Sequence, residues 1–232
     1  MQLTVRDVAT LLNVSEKTVY RWIKAREIPA YRINEQYRFH RAELLEWATA
    51  RRIAVSADLF QEEGEGPLPS LGDALLAGGI AYRLVATDVR SALRAVVEVM
   101  RLPEEVNREQ LLQVLLAREA LASTAIGDGV AIPHVRNPIV LHVSHPAITL
   151  CFLERPVDFG ALDGKPVHCL FTIISPTVRA HLTLLSRLAF AMRDPGFQDA
   201  VRRQALRDEI LAELRRVEAG LTPLHPVRAG GE

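Results

Sequence analysis

The chain of 232 residues carries 28 Lys+Arg against 28 Asp+Glu, and 49% of it is apolar, 24% charged and 6% aromatic. This composition excludes wholesale disorder and collagen-like repeats, and the length suits one large domain or a small one joined to a medium one. No window of about 18 consecutive apolar residues occurs and Met1 to Asp7 lacks a basic-then-apolar leader, so the sequence predicts a soluble, cytoplasmic protein with no membrane partner.

The first elements read as paired helices. Thr4 to Asp7 spells a capping box, and Val8, Leu11 and Leu12 follow it as one apolar stripe, predicting a short helix. Asn13-Val14 makes a tight turn and Ser15 caps a second helix. Val19, Trp22 and Ile23 repeat there at helical spacing, while Lys17, Thr18, Tyr20, Arg21 and Lys24 point elsewhere. Trp22 and Tyr20 cannot share a face, which makes Trp22 core and leaves Tyr20 on the outer face with the basic side chains. Alternation from Ile28 to Phe39, with a turn at Asn34 to Gln36, predicts a hairpin wing that places Arg32, Arg38 and Arg41 near flanking phosphates. A third helix with Leu44, Leu45 and Trp47 closes the core.

Residues 1–55 hold ten basic and six acidic side chains, an excess of four cations that the remainder offsets with 18 basic against 22 acidic. A polyanion is therefore drawn to this quarter of the chain, although so modest an excess binds weakly alone, and a homodimer or a partner is implied. LTVRDVATLLNVSEKTVYRWIKAREIPAYRI followed by YRFHRAELLEW resembles the excisionase and MerR-type winged helix-turn-helix family over nearly all of residues 1–52. The resemblance implies DNA binding, with the second helix reading the groove and the wing touching backbone.

Periodicity stops between Ser56 and Ser70, where Glu, Gly and Pro accumulate as in a solvated linker permitting relative motion of two domains. From 71 to 220 helical and strand patterns alternate. Helices are expected at Asp73 to Gly79, Thr87 to Met100, Asn107 to Leu121, Val178 to Met192 and Phe197 to about Leu214. Strands are expected at Ile80 to Leu84, Val130 to Ile132, Ala147 to Leu153 and Val167 to Ile174. That is an α/β layered domain. Cys151 and Cys169 sit in its apolar runs and read as packed thiols, neither a disulfide nor a metal site. The tail from Leu221 to Glu232 reads as frayed.

The chemistry-bearing string runs from Ser123 to His134. Gly127 and Gly129 flank Asp128 in a loop that needs positive φ or close backbone approach, and Pro133 fixes the chain just before His134. The expectation is an imidazole held rigidly and accessibly. This string, with its REALAST lead-in and the segment SPTVRAHLTLLSRLA, resembles phosphotransferase-system enzyme IIA domains of the fructose, mannitol and nitrogen-regulatory type, from about Leu71 to Leu214. The resemblance implies a mixed sheet flanked by helices. It also implies a phosphoryl group accepted by His134 from an HPr-like phosphocarrier protein, a supporting Arg118 and a second active-site His181. The family often has Gly after the reactive histidine, where this chain has Val135.

Elementary chemistry favours the same roles. A neutral imidazole nitrogen is a competent nucleophile, His181 falls near a helix start favourable to a dianion, and Arg118 suits a clamp on phosphoryl oxygens. No GxxxxGK[ST] string is present and neither cofactor nor metal is expected. His40, His142, His145, His168 and His225 read as surface or satisfied core residues. The function expected is a DNA-binding regulator controlled by phosphorylation of His134. Two alternatives stay open: a DNA-binding protein whose IIA-like domain is a silent dimerisation or interaction module, and a phosphocarrier whose N-terminal domain contacts protein.

Overall fold

The computed structural model describes residues 2–33, 36–51, 53, 69–135 and 143–221. The expected turn at Asn34-Glu35, the body of the expected linker, His142, His225 and the tail beyond Leu221 lie outside the described residues. Among the described residues no helix is long and apolar enough to cross a membrane.

The N-terminal unit comprises β1 (Gln2–Leu3), α1 (Val5–Leu11), α2 (Glu16–Lys24), β2 (Tyr31–Ile33), β3 (Gln36–His40) and α3 (Arg41–Ala50). Thr4 and Asp7 form the capping box of α1, and the Ser15 hydroxyl accepts from the Thr18 amide to start α2. Asn13, at φ 51, makes the turn between them in the left-handed region that asparagine tolerates. The wing is the antiparallel pair β2–β3. The sequence does not announce its third member, β1, which joins β3 by pairing Leu3 with Phe39. Val8, Leu12, Val19, Phe39, Leu44 and Leu45 fill the core, and the Trp22 and Trp47 rings meet edge-on at 5.1 Å. Trp47 completes its polar requirement by donating Nε1–H to the Glu27 carbonyl at 2.5 Å.

The second unit runs α4 (Leu71–Gly78), β4 (Ile80–Leu84), α5 (Val89–Val99), α6 (Arg108–Leu121), β5 (Ala125–Gly127), β6 (Val130–Ala131), β7 (Ala147–Val157), β8 (Val167–Ile174), α7 (Val178–Ala191), α8 (Pro195–Arg202) and α9 (Arg207–Ala219). Its sheet has the order β4-β7-β8-β6-β5. β4 is parallel to β7 and β6 to β8, whereas β7–β8 and β5–β6 are antiparallel. Helices cover both faces, which is why β7 and β8 read as continuous apolar runs. Ile148, Leu150 and Phe152 of β7 pack with α4, α7, α8 and α9. Ala147, Cys151 and Leu153 alternate to the other face, under α5 and α6. Both thiols are free and buried.

Three expectations need correction. Ser70, assigned to the linker, is the N-cap of α4 and accepts from the Asp73 amide. The single helix expected from Phe197 to Leu214 is two, broken at Arg203 to Leu206 with Gln204 at φ 53. A straight rod would carry Ile210, Leu211 and Leu214 off the core that Phe197, Ala200 and Val201 enter, so the chain reverses and both apolar stripes are buried. Thirdly, β5 falls in a stretch read as loop, because three residues show too little alternation to announce a strand.

The two units do not merely share a tether. α3 packs on α7 and β5, and the apolar core of the N-terminal unit is continuous with the core on that face of the sheet.

Candidate functional site

β6 delivers Ile132, Pro133 and His134 alongside β8: the Ile173 amide donates to the Pro133 carbonyl at 3.1 Å and His134 bridges to Ile173. The preceding loop has the positive φ values expected, with Gly127, Asp128 and Gly129 at φ 89, 51 and 73. The His134 ring is fixed by its Nδ1, 2.7 Å from the Ile132 carbonyl. A carbonyl oxygen only accepts, so Nδ1 carries the hydrogen and Nε2 faces the site.

Arg118 enters from the last turn of α6 and is held by donating Nη1–H to the Ala122 carbonyl at 2.8 Å. Its neighbour Glu119 binds the Thr124 amide at 2.9 Å and the Thr124 hydroxyl at 2.5 Å, fastening the end of α6 to the start of β5. This brace was not identified from sequence, although both residues lie in the REALAST string. His181 sits in the first turns of α7, capped by Thr177, whose hydroxyl accepts from the Ala180 amide at 3.1 Å.

The structure brings His134, His181 and Arg118 together. The two imidazoles have centroids 5.1 Å apart, and the three residues are 3%, 2% and 7% exposed. Burial first, then the adjacent His134 ring, pushes the His181 pKa down to about 3, with Arg118 adding and Glu46 opposing, so that ring is neutral near pH 7. Neither ring nitrogen of His181, nor Arg118 Nε, has a hydrogen-bond partner among the described residues. Buried donors left so are costly, and a polyoxyanion would satisfy them. Val135 is buried on the side of α5 and α6.

One expectation fails here: the His134 ring is not accessible. The reason is a residue not singled out from sequence, Glu46 of α3. Its side chain is 8% exposed, with Oε2 3.1 Å from Arg118 Nη2 and Oε1 3.3 Å from His134 Nε2. The latter contact is at ion-pair distance without hydrogen-bond alignment. No local pattern could have signalled Glu46, since its partners belong to the other unit. Thr49, one turn on, is also buried and lines a small cavity with Ile126, Met192 and Gln198.

The other predicted residues lie in the N-terminal unit. Lys17, Tyr20, Arg21 and Lys24 are exposed on α2 and Arg32 is exposed on the wing. Tyr20 meets Tyr37 at 6.3 Å, which joins α2 to the wing. Thr18 is half-buried, its hydroxyl 2.9 Å from that of Ser15. Arg38 is half-buried and donates to the Tyr37 carbonyl at 3.1 Å and to Gln36 Oε1 at 2.6 Å, and Arg41 is half-buried at the start of α3. Among the described residues no group of three or more His, Cys, Asp or Glu side chains could hold a metal ion.

Comparison with known proteins agrees with this division. Residues 75–217 match the family model described as phosphoenolpyruvate-dependent sugar phosphotransferase system, EIIA 2, and residues 3–52 match a helix-turn-helix domain. A nitrogen regulatory protein of Bradyrhizobium diazoefficiens is 36% identical over 124 residues, 51% of this chain and 79% of that protein. The fructose-specific EIIABC component of Bacillus subtilis is 34% identical over 105 residues, 44% of this chain but only 15% of that protein. The crystal structure of the nitrogen regulatory protein IIA-Ntr from Neisseria meningitidis superposes with a TM-score of 0.55 at 27% identity, covering 62% of this chain and 98% of that one. With a buried two-histidine site on a helix-flanked mixed sheet and the family model spanning more than half its length, the chain belongs to the EIIA 2 family of the phosphotransferase system and carries a helix-turn-helix domain at its N-terminus.

Proposed function

We propose that this protein is a DNA-binding regulator whose second unit accepts a phosphoryl group on His134 Nε2 from an HPr-like phosphocarrier. The observation that carries the reading is the convergence of His134, His181 and Arg118, with both nitrogens of the His181 ring unpartnered beside a nucleophile whose other nitrogen is occupied by the Ile132 carbonyl. In the transfer the donor's nitrogen–phosphorus bond breaks as the bond from His134 Nε2 forms. The donor ring, an N-phosphoryl imidazolium, leaves as neutral imidazole with its lone pair restored, His134 keeps its Nδ1 hydrogen and takes up that one ring charge, and the phosphoryl oxygens keep theirs throughout. Arg118 and a donor from His181 would receive those oxygens, and the amide end of α7 adds positive potential. Neither cofactor nor metal takes part in such a step. The exposed cations of α2 and Arg32 support the DNA-binding half of the reading, in which α2 lies in the major groove.

The test is incubation of the full chain with phosphoenolpyruvate, enzyme I and HPr. Acid-labile label on the wild type and none on His134→Ala is expected. An unlabelled wild type and an unlabelled Glu46→Ala variant, beside an active control IIA protein, would reject the acceptor role.

A second reading draws on the burial of His134 beneath α3: a DNA-binding protein whose IIA-like unit is a silent interaction or dimerisation module. It predicts no label under any condition and a defined oligomer in solution.

A further inference from the structure

We infer that the N-terminal unit is itself the occupant of the phosphoryl-acceptor pocket: α3 covers the surface where the phosphodonor must dock, and the Glu46 carboxylate stands in for the phosphoryl group. This inference rests on the acceptor reading of His134, and adds to it what controls access to that site.

Three observations carry it. The first is charge. Glu46 brings an anionic, two-oxygen group to the places a phosphoryl anion needs, one oxygen 3.1 Å from the Arg118 guanidinium and the other 3.3 Å from His134 Nε2. A carboxylate is the protein's nearest equivalent of a phosphoryl group, and guanidinium recognises both by the same fork. The second is space. The nitrogen that must attack phosphorus is faced at van der Waals range by Glu46 Oε1, so no phosphoryl group and no partner imidazole can approach along that line while α3 is seated. The third is fit. Trp47 and Ala48 are buried beside Glu46, Thr49 is buried against the second unit, and one apolar core runs through both units. The contact is therefore a packed interface, with the carboxylate at its polar centre.

Mutual exclusion follows. With α3 seated, His134 is shielded. Once His134 carries a phosphoryl group, that group claims Arg118 and places at least one further negative charge against Glu46, so α3 cannot reseat. The chain thereby has two arrangements, closed with Glu46 on Arg118 and open with the phosphoryl group on Arg118, and phosphorylation selects the second. Lys17, Arg21 and Lys24 are exposed in the closed arrangement, so α3 conceals the acceptor site without concealing the basic face of α2.

The experiment compares the full-length wild type with Glu46→Gln and Glu46→Ala, reading both the rate of labelling by phosphorylated HPr and hydrogen exchange of the amides in residues 125–135 and 178–192. The expected result is labelling about tenfold faster or more in both variants, since a buried charge-assisted contact is lost, together with increased exchange in those two segments and unchanged exchange in β7. Equal labelling rates in all three proteins would overturn the inference while leaving the acceptor reading intact. If none is labelled, the acceptor reading fails, and exchange alone decides whether α3 seals the pocket: release in Glu46→Ala supports the seal, and identical exchange in all three proteins overturns it.

Discussion

Arg118 Nη2 lies 3.1 Å from Glu46 Oε2, and this pair joins the last turn of α6 to the third helix of the N-terminal unit with both side chains under one tenth exposed. Removing one member of a buried ion pair strands the other, at a cost of about 3–5 kcal/mol where no rearrangement relieves it. If α3 undocks, Glu46 returns to water and the loss is limited to the stability of the contact. Arg118→Ala is expected to lower the denaturation midpoint more than Glu46→Gln, and the double variant to lose less than the sum of the two. A double-mutant cycle in urea checks this, with a coupling of about 1 kcal/mol or more expected. Strict additivity would show that the two side chains do not stabilise one another.

Local chemistry made most of both units legible. The capping residues Thr4, Ser15 and Asn107 mark helix starts because a single hydroxyl or amide side chain satisfies an orphan amide three residues on. The strands β7 and β8 declare themselves by length and apolarity. His134 is marked by a loop whose glycines and proline demand a particular backbone, and resemblance to a family marks it together with His181 and Arg118. What the sequence does not display is tertiary. β1 and β5 are too short to show a period, and the break between α8 and α9 answers to a core that both stripes must enter. Glu46 is one charge on a helix until the second unit is set against it, and no spacing within residues 41–50 distinguishes it from Glu43.

Acid should loosen the molecule before its carboxylates titrate. Burial and the neighbouring His134 ring depress the His181 pKa from 6.5 to about 3, and burial lowers His168 as well. Below about pH 6.5 the unfolded chain binds protons at these rings that the folded chain refuses, so stability falls as pH drops and the penalty grows toward the folded pKa. The slope reaches about 1.4 kcal/mol per pH unit for one such ring. Asp7, Asp163 and Asp194 are held below their ordinary values, so their contribution is lost only at lower pH. Denaturation midpoints between roughly pH 4.5 and 6.5 should therefore decline in the wild type and decline less in His181→Gln. An undiminished slope in that variant would assign the effect elsewhere.

Glu218 should prove the strongest single anchor of the second unit's first helix. Its carboxylate accepts from the Ser70 hydroxyl at 2.9 Å and from the Leu71 and Gly72 amides at 2.7 and 3.2 Å, while Arg187 reaches it at 3.2 Å and the Pro69 carbonyl at 2.9 Å. One acid at the end of α9 thus caps α4 and ties α7 to both. Glu218→Ala is expected to cost about 2 kcal/mol through the lost cap and the stranded guanidinium, and Glu218→Gln roughly half of that. Thermal unfolding of the three proteins measures the order. A Glu218→Ala midpoint equal to wild type would mean that water replaces the carboxylate without penalty.

Nucleic-acid affinity should divide the basic residues by how free their cations are. Lys17, Arg21 and Lys24 project from α2 and Arg32 from the wing, whereas Arg38 is committed to Gln36 and the Tyr37 carbonyl. An exposed cation that neutralises a phosphate releases a counterion, so each contributes about one unit to the dependence of log affinity on log salt. Lys17→Ala, Lys24→Ala and Arg32→Ala are expected to weaken binding to all sequences and flatten that slope by about one apiece. Arg21→Ala should do the same, or relax preference at one base pair if its guanidinium reaches a base edge. Arg38→Ala should act mainly through the wing's own stability. Arg94→Ala, on the exposed face of α5, serves as a control of equal charge change. Titrations with a genomic fragment selected by the wild type, at several salt concentrations, measure both quantities. If Arg94→Ala flattens the slope as much as Lys17→Ala, attraction to the whole molecule explains the binding, and α2 has no special place in it.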